Sequence, residues 1–192
     1  MRLFLAINLP DDVRRGAWQA AEPLRTGRYP VKWVAEESLH ITMKFLGDVA
    51  PEREREVIDG MQAAVRGARA FSLIVSEFGA FPSLSNPRVV WIGCEPVPPL
   101  ELLQHRVEQE TNRLGFPLEG RPFHPHVTLG RAKRDTRAAD FRGLGETAER
   151  LEYATSVTVE SLDLMESTLT RQGAIYAVRH RATLAGAEER VQ

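Results

Sequence analysis

The 192-residue chain is long enough for one sizeable core, or for one domain built of two lobes. Its 43% apolar and 27% charged residues suit a soluble globular protein, and a formal net charge of -1 excludes a global positive field, so nucleic acid can be met only through a local basic patch. The single cysteine, Cys94, excludes a disulfide framework within the chain, fits a reducing cytoplasm, and reads as a small buried hydrophobe.

The opening MRLFLAINLP is too short and strand-like for a signal peptide, and no apolar run nears membrane-spanning length. Arg2 to Leu9 reads as a strand, and Asp11 can cap a helix from about Asp12 to Ala21. The stretch LRTGRYPVKWV is a loop running into Lys32-Trp33-Val34. Leu39 to Leu46 alternates as a strand and is closed by Gly47-Asp48. Pro51 opens a charged helix over about 52 to 66, whose apolar stripe is Val57, Ile58, Met61 and Val65. Phe71 to Phe78 is a strand, GAFPSLSNPR a turn-rich loop, and Val89 to Cys94 another strand. Pro98-Pro99 starts a helix from about Leu100 to Leu114, ended by Gly115.

Arg121 to Pro125 is an extended loop, and His126 to Gly130 a strand. Residues 131 to 150 are charged and irregular, with a short helix at Asp135 to Phe141. Ser156 to Met165 and Ala174 to Arg181 close the series of strands, and the tail GAEERVQ is a frayed or weakly helical end. Strands outnumber helices and several are sequence neighbours. That argues for an α+β fold with antiparallel pairing, with residues 1–192 forming one unit.

Two strands carry the same short pattern: His40-Ile41-Thr42-Met43 and His126-Val127-Thr128-Leu129. The strand period of two points each His and Thr to one face and the apolar residues to the other. Each copy thus offers an imidazole beside a hydroxyl, backed by a hydrophobic layer. The repeat suggests two similar lobes turned toward a shared cleft.

Zinc is one use for two histidines, but no cysteine or acidic residue sits at ligand spacing near either. Acyl transfer would want a serine on a nucleophile elbow, which is missing. Metal-free phosphodiester cleavage fits better. One imidazole takes a proton from water, the other gives one to the leaving oxygen, and a free pKa of about 6.5 suits both roles. The Thr42 and Thr128 hydroxyls can donate to phosphoryl oxygens, and a cation is wanted as well. Lys44 follows the first copy, and Arg131, Lys133 and Arg134 follow the second. A regular strand would point Arg131 away from His126, so a bend near Gly130 is required.

With these motifs the chain resembles the 2H phosphoesterase superfamily, and within it the bacterial and archaeal RNA 2',3'-cyclic phosphodiesterases, also known as 2'-5' RNA ligases. RLFLAINLP, KWVAEESLHITMKFLG, FGAFPSLSNPRVVWIG, the second motif with its trailing GR, and VESLDLMESTLTRQGAIYAV carry the likeness over about residues 2 to 180. The resemblance implies a bilobal α+β fold: two antiparallel sheets with outer helices and a central cleft. It implies hydrolysis of RNA 2',3'-cyclic phosphate ends, tRNA fragments among them, to 2'-phosphates, with no metal or other cofactor. Ligation of 2'-5' linked halves would be the near-reverse side reaction. It makes His40 the proton donor, His126 the proton acceptor, Thr42 and Thr128 the phosphate holders, and Arg131 a substrate contact. Met43 stands where leucine is common, at a position expected to face the core.

Trp33, Phe81 and Phe123 lie in or beside loops near the expected cleft, where a terminal base or ribose can stack on them. Core packing is the competing role for each. His124 shares strand parity with His126, but Pro125 breaks the ladder between them, so it reads as a rim residue. Arg88 and Arg121 can meet backbone phosphates or simply be solvated. A monomer without membrane contact is expected.

Overall fold

The computed structural model describes residues 1–170 and 174–187. The expectation for the tail falls largely on residues 188–192, outside the described residues. Among the described residues nine strands are formed: β1 (Arg2–Asn8), β2 (Val31–Trp33), β3 (His40–Asp48), β4 (Phe71–Phe81), β5 (Val89–Cys94), β6 (His126–Ala132), β7 (Ala154–Val159), β8 (Ser161–Leu169) and β9 (Ala174–Thr183). The helices are α1 (Asp11–Ala20), α2 (Glu22–Thr26), α3 (Glu54–Val65), α4 (Pro98–Arg113) and α5 (Leu144–Glu149). No described helix is long and apolar enough to cross a membrane.

The strands run in the order β7-β4-β5-β6-β3-β1-β8-β9, with β2 also on β6, and the pairings between them are antiparallel. The two expected sheets are the two halves of this one sheet. They meet where β3 touches β6, through the single residue pair Ile41 and Val127. That pair is the centre of an approximate two-fold relation between the motifs. An antiparallel register about it makes His40 the counterpart of Thr128 and Thr42 the counterpart of His126.

One core serves both halves. Leu3, Leu5 and Ile7 of β1, Ile41 and Met43 of β3, Leu73 and Val75 of β4, Ile92 of β5, and Val127 and Leu129 of β6 pack with the apolar faces of α1, α3 and α4. Strand β1 is central and buried on both sides, which is why its sequence is almost continuously apolar. Its opposite face, Phe4 and Ala6, lies with Met165 and is touched by Tyr176. A second cluster, built on Leu24, Val31, Val90, Phe141 and Leu144, seats α2 and α5.

Four expectations need correction. The strand expected to stop at Phe78 runs on to Phe81, past an irregularity at Glu77 whose φ of 63° allows the ladder to resume one residue out of step. The strand expected over Ser156 to Met165 is two strands that belong to opposite halves. Burial switches from Val157 and Val159 to Leu162 and Leu164, a change of parity that one continuous strand cannot accommodate. The helix expected at Asp135 to Phe141 is only a short 3-10 turn, Ala138–Phe141, and helix α5 follows it. Leu24 to Thr26, expected as the start of a loop, belong to the short α2.

Candidate active site

Both motifs end in the same irregularity. In β3 the register against β1 slips so that Leu5 pairs with Lys44 and Ala6 with Thr42, leaving Met43 extra. In β6 the register against β5 slips so that Val90 pairs with Gly130 and Trp91 with Thr128, leaving Leu129 extra. Each bulge turns two successive residues to the buried side, Met43 with Lys44 and Leu129 with Gly130. The next residue, Phe45 or Arg131, therefore returns to the face that carries the histidines. This is the bend near Gly130 that Arg131 required. Gly130 can occupy its place because a Cβ there would lie 2.5 Å from Val31 Cγ1 and 2.7 Å from Trp33 Cε3.

Lys44 does not supply the cation. It is 7% exposed on the helix side, where its Nζ donates to Glu108 Oε2 and to the Pro117 carbonyl, both at 2.6 Å. Of the cations singled out in the sequence, Arg131 is the one on the histidines' face whose charge acts on both rings.

The two imidazoles are anchored alike. His40 Nδ1 donates to the Ser38 carbonyl at 2.7 Å, and His126 Nδ1 to the His124 carbonyl at 2.6 Å. A carbonyl only accepts, so each Nδ1 carries a hydrogen and each Nε2 is the nitrogen free for chemistry. In neutral His40, Nε2 accepts from the Thr42 hydroxyl at 3.1 Å. Burial pushes both imidazoles below their ordinary pKa of 6.5, the carbonyls pull them back, and the Arg131 charge pushes both down again. The bulge in β6 places Arg131 on the face of the histidines, in keeping with that common effect. His126 adds to the lowering at His40, and His124 to the lowering at His126.

The walls differ. Beside His40 lie Phe4, with ring centroids 5.1 Å apart, and Tyr176, edge-on at 5.2 Å. Phe45, 60% exposed, extends this wall beyond Phe4. Beside His126 lie Phe81, edge-on at 5.1 Å, and Trp91 at 6.3 Å. The Trp91 ring covers Gly79, where a Cβ would sit 2.3 Å from its edge. A cavity of about 820 Å³ opens next to His40, reached by Ser38, Tyr176, Asn8, Arg181 and, from the other half, Ser156 and Thr158. Two of these lining residues share the buried Asp163, which accepts two bonds from Arg181, both 2.8 Å, and one from Asn8 at 2.7 Å.

His40, Thr42, His126, Thr128 and Arg131 are thus brought together, with Phe81 against His126. Trp33 and Phe123 are not among them. Trp33 is half-buried on the face of Val31 and packs against both apolar clusters, while Phe123, half-buried in the loop before β6, packs on the main core. Both make packing contacts with the core while staying partly exposed. His124 is exposed at the rim, 6.1 Å from Phe81. Arg88 and Arg121 are exposed. Reading the sequence missed Tyr176, Phe4, Phe45 and Trp91. Trp91 had a signal, since Val89, Trp91 and Gly93 alternate with the buried Val90, Ile92 and Cys94. Among the described residues no group of three or more His, Cys, Asp or Glu is placed to hold a metal ion.

A family model, the 2'-5' RNA ligase superfamily, matches residues 10–171. A Thermotoga maritima protein named RNA 2',3'-cyclic phosphodiesterase is 32% identical over 187 residues, covering 97% of each chain. An Aeropyrum pernix protein of the same name is 37% identical over 148 residues, covering 77% of this chain and 82% of that one. Among solved structures, TT0787 of Thermus thermophilus superposes with a TM-score of 0.78 at 26% identity, covering 98% of this chain and 100% of that one. Escherichia coli LigT complexed with 3'-AMP gives 0.74 at 28% identity, covering 96% and 98%.

Proposed function

This chain belongs to the 2'-5' RNA ligase superfamily, and from that premise we propose that it hydrolyses RNA 2',3'-cyclic phosphate ends to 2'-phosphates by general acid and base catalysis, with no metal. The observation that carries this reading is the pair of imidazoles, each held through Nδ1 by a carbonyl two residues earlier and followed on the same strand face by a threonine, with Arg131 returned to that face by the bulge in β6.

The cyclic phosphate sits between the two Nε2 atoms. Neutral His126 takes a proton from water as the water attacks phosphorus. Protonated His40 gives its proton to the departing 3'-oxygen, and the phosphate stays on the 2'-oxygen. Thr42, Thr128 and Arg131 hold the non-bridging oxygens as charge builds on them. The depressed pKa of His126 favours the neutral base. His40 is depressed as well, so the bound anion has to supply the counter-charge that lets His40 hold its proton. Since a proton on either ring disfavours one on the other, the active state is the singly protonated pair.

Because the 2'- and 3'-oxygens belong to one ribose, the terminal nucleoside lies on the His40 side. The cavity there and the Tyr176 ring are where it fits. Both motifs and all five polar groups come from one chain, which supports a monomer acting as one unit over residues 1–192. Fragments of tRNA ending in a cyclic phosphate are within this substrate class.

The test is product analysis after EDTA-treated protein is incubated with cyclic-ended RNA, cyclic mononucleotides and 2'-5' oligonucleotides. A 2'-phosphate from the RNA end is the expected product. Turnover lost in EDTA and restored by zinc or manganese refutes the metal-free reading. Binding without turnover would make the chain an RNA-end binder, and turnover of mononucleotides alone would make it a sister phosphoesterase.

A further inference from the structure

Beside the cavity next to His40 lies a buried charge that proton transfer does not use. Asp163 has no exposure, and four donors converge on it. Its Oδ1 accepts from Arg181 Nε at 2.8 Å and Ser161 Oγ at 3.3 Å, and its Oδ2 from Arg181 Nη2 at 2.8 Å and Asn8 Nδ2 at 2.7 Å. Arg181 and Asn8 line the cavity, and Asn8 is the register partner of His40. A carboxylate only accepts, so it fixes the polarity that each of them has left. The Asn8 amide nitrogen is spent on Asp163 and on Met165 Sδ at 3.3 Å, which leaves the side-chain oxygen as an acceptor. Arg181 has given its Nε edge, which leaves the fork of Nη1 and Nη2 as a pair of donors. With Asp163 at 0% exposure and Arg181 at 57%, that fork is the accessible part of the ion pair.

The other charges of the cavity decide which part of a nucleotide meets these groups. Arg14 is bonded to Asp11, while Asp12, Glu37 and Glu160 have no ion-pair partner among the described residues. They repel a further backbone phosphate and leave a neutral base free to enter. We propose that Arg181 and Asn8 read the base of the nucleotide that bears the cyclic phosphate, and that they select guanine. This rests on the reading that puts the terminal nucleoside on the His40 side. Two donors beside an acceptor call for two acceptors beside a donor. Guanine offers N7, O6 and N1–H in that order, and an arginine fork on O6 and N7 is the commonest guanine contact. Adenine offers N7, N6–H and N1, and uracil O4, N3–H and O2, so each sets a donor against the fork. Cytosine has the right order in O2, N3 and N4–H, but it is the shorter base. Three strand spacings, roughly 14 Å, separate β3 from β9, so the longer purine suits the span from a ribose at His40 to Arg181. Asp163 is then a positioning residue, holding both readers in one polarity.

The experiment gives the full chain oligonucleotides that differ only in the nucleoside carrying the cyclic phosphate, and measures kcat/KM for each. Guanosine is expected to exceed adenosine and uridine by about tenfold to a hundredfold, the worth of one bidentate base contact, with cytidine between. Inosine keeps N7, O6 and N1–H and should match guanosine. 7-Deazaguanosine loses N7 and should fall most of the way to adenosine. These comparisons use the unaltered protein, so they need no variant to fold. Arg181→Lys keeps a charge beside Asp163 but not the fork, and should bring the ratio of guanosine to adenosine within about threefold. Equal turnover of the four natural ends overturns the proposal, as does a 7-deazaguanosine end processed like guanosine. So does a loss in Arg181→Lys that is the same for every base, which would make the ion pair only a staple between β8 and β9. Failure of the underlying reading looks different: no end would then yield a 2'-phosphate.

Discussion

The half of the sheet that carries His40 and the half that carries His126 begin from the same instructions. Both have a histidine whose Nδ1 is tied to a carbonyl two residues earlier, a threonine on the same face, and a bulge after it. They part at the two residues that follow the bulge. The first half places Lys44 in the core and Phe45 on the open face. The second places Gly130 against Trp33 and Arg131 on the open face. The duplicated part makes a symmetric pair of anchored imidazoles, and the unduplicated part makes their surroundings unequal. The charge of Arg131 lowers both imidazoles, a cavity lies beside His40, and an aromatic wall backs His126.

The widest test of this asymmetry is at the histidines. His40→Ala and His126→Ala are each expected to lower kcat by about 10² to 10⁴. A diester with an activated phenolate leaving group needs little protonation, so it should rescue His40→Ala substantially and His126→Ala hardly at all. Equal rescue would abolish the distinction between acid and base, and rescue of His126→Ala alone would reverse it. In kcat/KM against pH, activity should fall on the acid side as His126 takes a proton and on the basic side as His40 loses one. Both groups are lowered in the free protein, so the basic limb belongs below the ordinary imidazole value of 6.5. A basic limb above that value contradicts it.

The buried member of each pair comes next. Lys44→Ala leaves Glu108 as an unpaired carboxylate that is 8% exposed, and is expected to cost roughly 3–5 kcal/mol of stability in urea unfolding. The folded variant should keep its kcat, because Lys44 lies on the helix side of β3. Loss of turnover in folded protein would bring Lys44 back to the cleft.

At the exposed member, Arg131→Ala should lower kcat by about 10² to 10³, as expected for losing a group aimed at developing charge. Phe45→Ala, the counterpart change in the first half, should act on KM. If both variants fail in kcat alike, the two positions are more equivalent than their chemistry implies. The smallest effect is expected at His124→Ala, which should keep hydrolysis within about tenfold, since its ring is at the rim and only its carbonyl anchors His126. A loss beyond about a hundredfold would make it a third catalytic imidazole.

Much of this was legible before any coordinates. Strand parity alone put His40 with Thr42 and His126 with Thr128, and put Ile41, Met43, Val127 and Leu129 in the core, because a strand has only two faces. The elements around the motifs were readable for the same reason, and resemblance to a known family supplied the chemistry. Parity also shows where such reading stops. It pointed Lys44 toward the motif and Arg131 away, and the bulges at Met43 and Leu129 reversed both. A bulge has no side-chain period of its own, so only the register against a neighbouring strand reveals it. Trp33 and Phe123 look as suitable for stacking as Phe81, since ring chemistry does not say which face of the sheet a loop will reach. Tyr176 lies far along the chain from His40 and comes to it only because β9 is added to the sheet beyond β1 and β8. The local sequence determined what each motif could do. The pairing of distant strands decided which cation, which rings and which cavity it would do it with, because those are contacts between segments that carry no local signal of one another.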